Sequence, residues 1–162
     1  MRLDVILESA LKKVHEVKQR PVRVYLACPY SVTIGHSKSW EAVRFELANI
    51  AAMALINRGA VVFSPISHSH PIALTQPVAK NTHSLWLSQD FEFLKWADLM
   101  VILDLPGVDE SYGVRREIQF CSEHLKPCVY ASIFEFYGLE ESKVCRSDPE
   151  TKGELVECAE IK

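Results

Sequence analysis

Along the chain, stretches with apolar residues at helical spacing alternate with short runs that are apolar throughout. In residues 3 to 17, Leu3, Ile6, Leu7, Ala10, Leu11, Val14 and Val17 recur every three or four positions, which predicts an amphipathic helix that Pro21 ends. VRVYLA (22–27) is a short β-rich run, followed by the polar loop CPYSVTIGHSKS. Ser39 is placed to cap a helix over residues 40 to 58, which Gly59 closes. AVVF (60–63) predicts the next strand, and SPISHSHPIALTQPVAKNTH (64–83), with three prolines, reads as a long loop of the kind that covers a site. A third helix starts near Ser84 and runs through LWLSQDFEFLKWA, then come the strand DLMVIL (98–103), a loop, a helix from residue 112, and the strand CVYA (128–131). After Gly138 the pattern dissolves into a charged tail, expected to be a short helix or strand and then disorder.

Strands that alternate with helices, each strand nearly continuous in hydrophobes, indicate a parallel sheet covered on both faces. The expected fold is therefore α/β: a single flavodoxin-like (Rossmann-like) domain with a sheet of four to five parallel strands and helices on both sides. An N-terminal helix (1–20) precedes that domain (21–138), and a charged tail (139–162) follows it. In open sheets of this kind a ligand lies at the carboxyl ends of the strands, so the loops after residues 27, 63 and 103 should converge on it.

Composition narrows the partners. A chain of 162 residues supports one domain, and its net charge of −3 argues against a nucleic-acid polymer, which needs a clustered basic face. No apolar run is long enough to span a bilayer and the first twenty residues do not form a signal peptide, so no membrane partner and a cytoplasmic location are expected. Cys28, Cys121, Cys128, Cys145 and Cys158 lack CxxC spacing and read as free thiols. CPYSVTIG is a poor match for the phosphate loop of a flavodoxin-like redox protein, no dinucleotide motif occurs, and no cofactor is expected.

The candidate chemistry begins with misplaced acids. Glu117 falls on a stripe made by Val114, Ile118 and Cys121, and Asp90 falls between Leu87 and Leu94 at the same offsets. Two carboxylates in apolar stripes imply partial desolvation and a site; alternatively, each sits at the edge of its stripe and pairs with an arginine such as Arg115 or Arg116. Ser111 is an N-cap candidate whose hydroxyl and first-turn N–H groups could hold an anion, and Gly113 lets a ligand approach the backbone; a plain capped helix is the other reading. His68 and His70, two apart on a segment taken as extended, lack a third ligand with metal-site spacing, so substrate contact is expected and no metal. His36 and His83 read as solvated loop residues, and the three tryptophans as packing groups.

Together these segments resemble a family. VYLACPYS, FEFLKWAD with LMVIL, and SYGVRRE look like the nucleoside 2-deoxyribosyltransferase superfamily, and within it the nucleoside 5′-monophosphate N-glycosidases. YLACPYS, VVFSPISHSHPI and DESYGVRREI look still more like a small bacterial and phage group of that superfamily whose function is poorly defined. The likeness covers about residues 22 to 136, and lies in order and spacing: a tyrosine in strand one, an aspartate before AD plus strand, then Ser-x-Gly-x-x-x-Glu.

Carried over by position, the resemblance implies that Glu117 is a nucleophile attacking the anomeric carbon, with formation of a glycosyl-enzyme ester. It implies that Asp90 assists leaving-group protonation or water activation, and that Tyr25 sits near nucleophile and sugar. Ser111 falls where the monophosphate hydrolases have a phosphate-binding serine and the transferases an aspartate. Where an arginine is expected to contact the phosphate, the first loop supplies Tyr30 and Ser31, and Arg44 on the next helix is the candidate replacement charge. The implied function is hydrolysis of the base–sugar bond of a (deoxy)nucleoside 5′-monophosphate. The alternatives are a nucleoside 2-deoxyribosyltransferase and a non-catalytic nucleotide sensor. Relatives are dimers or larger, so a homo-oligomer is implied, and the aromatics of FEFLKW and IFEFYG are compatible with an interface.

Overall fold

The computed structural model describes residues 3–31, 39–75 and 82–137. In chain order it has α1 (Leu3–Lys18), β1 (Arg23–Ala27), α2 (Ser39–Asn57), β2 (Val61–Phe63), α3 (Pro65–Ala73), α4 (Thr82–Trp96), β3 (Leu99–Asp104), α5 (Tyr112–Glu123), β4 (Cys128–Ser132) and α6 (Ile133–Tyr137). All strand pairs are parallel, in the order β2-β1-β3-β4. This is the expected α/β Rossmann-like domain, with four strands.

Alternation along each central strand divides the core in two. Val24 and Leu26 of β1, with Leu99, Val101 and Leu103 of β3, face one side and pack against Leu7 and Leu11 of α1 and Ala48, Ala51 and Leu55 of α2. Tyr25 and Ala27, with Met100 and Ile102, face the other side and meet Leu94 of α4 and Val114, Phe120 and Cys121 of α5. Both faces of β1 and β3 are thus buried, which is why these strands read as unbroken hydrophobic runs. No helix of the described residues is long and apolar enough to cross a membrane.

Two elements differ from the sequence reading. Part of the expected loop 64–83 is the helix α3: Ser64 caps it by accepting a hydrogen bond from the Ser67 N–H at 3.3 Å, and Pro65 sits in the first turn, where its missing N–H costs nothing. Pro71 lies in the last turn, so it removes only one ladder bond. The second difference is α6, directly after β4, whose Ile133 and Phe136 pack against the α1/α2 side of the core. Several of the aromatics compatible with an interface have partners within the domain. Phe91 stacks on Phe120 at 5.0 Å between centroids, Phe136 lies under the Arg58 guanidinium, and Phe93 stacks on Phe63 while remaining partly open to solvent. The C-terminal tail, His36, Cys145 and Cys158, and the side chain of His83, lie outside the described residues.

Candidate active site

The chain leaves β1 toward the β2 edge and returns through α3 and α4 to β3, so the connections diverge above the carboxyl ends of β1 and β3. A cleft of about 460 Å³ opens there. The β1 loop contributes Cys28, Tyr30 and Ser31, α4 contributes Trp86 and Asp90, and α5 contributes Ser111, Gly113 and Glu117. α3 forms a further wall through Ile66, Ser69 and His70.

Glu117 is buried, 5% exposed, and its Oε1 accepts a hydrogen bond of 2.6 Å from the Tyr25 hydroxyl. Tyr25 itself has no exposed surface, because it lies on the central strand beneath α4 and α5. Burial, followed by the nearby Glu117 and Asp90 charges, pushes the Tyr25 phenol well above its usual range, so it stays a neutral donor. Burial lifts the Glu117 carboxyl to about 7, opposed by the Tyr25 hydrogen bond and assisted by Asp90. Burial likewise lifts Asp90 to about 7. Burial thus raises both acids toward neutrality, and Asp90 adds to the rise at Glu117. Neither forms an ion pair among the described residues, and Arg115 and Arg116 are exposed.

Tyr25→Phe should raise the Glu117 carboxyl further, because the tyrosine hydrogen bond is the one contribution that lowers it. The expected result is an upward shift of about one unit in the Glu117 titration, followed by carboxyl-selective NMR across pH 5 to 9. An unchanged titration would remove Tyr25 as its partner.

Ser111 caps α5, its buried hydroxyl accepting from the Val114 N–H at 3.4 Å. First-turn N–H groups of a helix lack acceptors within it and favour an anion. A Cβ at Gly113 would meet nothing within 4 Å, so the glycine leaves the backbone open to the cleft.

Other candidates are redistributed. His70 lines the cleft, stacks on Phe45 at 4.4 Å and shares a 2.6 Å hydrogen bond with the Tyr30 hydroxyl, which ties α3 to the β1 loop. His68 does not line it; on a helix, residues two apart point to opposite sides, and His68 instead lies exposed near Phe63. Arg44 also leaves the set of cleft residues. Its guanidinium, 6% exposed, donates to the Tyr30 carbonyl at 2.7 Å and the Pro106 carbonyl at 3.0 Å, so it fastens the β1 loop to the β3 loop instead of reaching a ligand. Among the described residues no lysine or arginine lines the cleft, whereas Glu41, Asp90 and Glu117 do. Burial pushes the Cys28 thiol up to about 12, which disarms it as a nucleophile.

Trp86 and Glu41 were not singled out by sequence. Trp86 stands one helical turn before Asp90, and that i,i+4 relation was the available signal. Glu41 carried none beyond its place at the start of α2.

Fold and site define a Rossmann-like α/β protein with a buried carboxylate, a neutral tyrosine donor and a second raised acid at the topological switch point. Residues 22–132 match the family model described as a domain of unknown function (DUF1937), and the chain belongs to that family. No curated protein matches it.

Proposed function

We propose that this protein cleaves the N-glycosidic bond of a nucleoside 5′-monophosphate. The observation that carries the reading is Glu117: a buried carboxylate held by a neutral tyrosine, at the floor of a cleft that a nucleotide-sized molecule can enter. Bond cleavage at an anomeric carbon develops positive charge, and a carboxylate in a poorly solvated site stabilises that charge and can trap it.

In the proposed reaction Glu117 attacks C1′ as the C1′–N bond breaks, and the bonding pair leaves with the base. Asp90 gives the base its proton. The Asp90 carboxylate then takes a proton from water, the water oxygen bonds to C1′, and the ester bond to Glu117 breaks, leaving base, sugar phosphate and the starting acids. The raised pKa of Asp90 supports its role as donor and then acceptor near neutral pH. The Ser111 cap and the open backbone at Gly113 support a phosphate at the start of α5.

A second reading has its own observation. The cleft carries three carboxylates and no lysine or arginine among the described residues, which favours an unphosphorylated nucleoside. Base release from a panel of ribo- and deoxynucleosides and their 5′-monophosphates separates the two: the primary reading expects release from monophosphates, the second from nucleosides. Saturable binding without release would replace both with a sensor.

Because activity requires Glu117 ionised and Asp90 protonated, and both titrate near 7, the profile of kcat/KM against pH should be a narrow bell centred near neutrality. In Asp90→Asn the alkaline limb should vanish while the maximum falls by roughly 10²-fold or more. An Asp90→Asn profile that keeps its alkaline limb would take the proton-transfer role from that residue.

A further inference from the structure

At the opposite end of the sheet, where the strands begin, lies a second cavity of about 580 Å³. Arg23 starts β1, Asp98 immediately precedes β3 and Pro127 immediately precedes β4, and all three border it. Its remaining walls come from α1, from the C-terminal end of α4 and from Leu125 and Lys126 between α5 and β4. Five cations converge here: Lys13 and Lys18 of α1, Arg23, Lys95 and Lys126.

The chain as a whole carries a net charge of −3, so this concentration of positive charge opposes the general trend. The lone carboxylate of the cavity does not neutralise it. Asp98 accepts two hydrogen bonds from Arg20, at 2.7 and 2.8 Å, and one from the Arg23 N–H at 3.0 Å. Lys95 pairs with Glu92, and Lys126 donates to the Lys95 and Ala97 carbonyls, closing the end of α4. Lys13 and Lys18 form no ion pair among the described residues. Lys13 and Lys18, the latter within Coulombic range of Asp98, present their ammonium groups from α1, and Arg23 borders the same cavity beside Trp96.

The cavity also has an apolar part. Trp96 lies under the Arg23 guanidinium, 5.4 Å from ring centroid to guanidinium carbon, and Val14, Val17 and Leu125 extend the surface. Val17 and Leu125 are 79% and 93% exposed, so they have no cover from the described residues. Like charges held together on a low-dielectric wall raise the local potential and concentrate small anions. An apolar strip beside them adds area for an organic group.

We propose that this basic cavity is a binding site for a small polyphosphate compound, with the phosphates on Lys13, Lys18 and Arg23. The site is independent of the reading given to the cleft. A third of its lining comes from α1, which precedes the 22–132 domain, so the site needs this chain's segment ahead of that domain.

Calorimetric titration of the full chain tests it, with sodium tripolyphosphate, ATP and AMP as probes at low salt. One-to-one binding of tripolyphosphate is expected, with ATP competing for the same site and AMP failing to displace it, and with affinity falling as salt rises. The double variant Lys13→Glu/Lys18→Glu should lose roughly tenfold or more in affinity, and Lys13→Ala/Lys18→Ala a smaller factor. Both positions are exposed, so circular dichroism should be unchanged, whereas Ser111→Asp, in the cleft, should leave polyphosphate binding intact.

ATP binding clearly tighter than tripolyphosphate would assign the nucleoside part to the Trp96 strip; equal binding would assign an inorganic polyphosphate. No binding at about 1 mM would overturn the proposal, since that is weaker than about −4 kcal/mol. So would loss of binding in Ser111→Asp but not in the lysine variants. Affinity that climbs with the length of a single-stranded oligonucleotide would also overturn it, because it marks a polymer surface.

Discussion

Glu117→Gln is expected to lower base release by about 10³-fold or more and, at pH 8, to make the protein more stable than the wild type. The first effect follows from the proposed chemistry, since an amide neither attacks C1′ nor balances its positive charge. The second follows from burial alone. The Glu117 carboxyl is raised from 4.5 to about 7 in the folded chain, so its contribution to stability is fully present below pH 4.5 and is lost as pH rises through 7. Above that point the fold holds a desolvated charge, at a cost on the order of 3 kcal/mol that glutamine does not carry. Thermal melts at pH 5 and pH 8 should show the variant gaining on the wild type only at the higher pH. A variant that releases base at the wild-type rate would end the nucleophile assignment, whatever the melts show.

The second large effect concerns Arg44. Arg44→Leu removes two charge-assisted hydrogen bonds and leaves the Tyr30 and Pro106 carbonyls without that donor, so a loss of about 3 kcal/mol is expected. For a chain of this size that corresponds to a fall of about 6–12 °C in Tm. Activity should fall as well, because the β1 loop supplies one wall of the cleft and the β3 loop leads to the Ser111 cap. Arg44→Lys keeps the charge but not the fork that spans two carbonyls, so it should recover part of the stability and not all of it. Equal melting of all three proteins would show that the loops are held by other contacts.

The elements most legible in the sequence were those with one dominant signal. β1 and β3 are buried on both faces and read as continuous apolar runs, and α1 shows its single buried stripe at a period near four. Glu117 and Asp90 stood out for the complementary reason, as acids where the period demanded hydrophobes. α3 was hidden because proline usually marks a loop, and only its position within the turn makes Pro65 harmless. Assigning that segment as extended also put the two histidines on one side, whereas helical geometry sends them apart and leaves only His70 in the cleft. Arg44 could not be read from local pattern, since its acceptors lie 14 residues upstream and 62 residues downstream. The basic cavity was invisible for the same reason: its five cations come from four separate segments, and the net charge of the chain conceals them.

The burial of Tyr25 has an evolutionary consequence. One residue fills the centre of the sheet and holds Glu117, and its ring is backed by Phe63, which stacks in turn on Phe93. Selection on the core and selection on the carboxylate therefore act on the same position, the ring serving the first and the hydroxyl the second. A substitution in that row of rings that still permits folding changes the setting of Glu117 first. Lineages that abandoned the carboxylate would be free to replace Tyr25 by phenylalanine, so those two positions should be lost together.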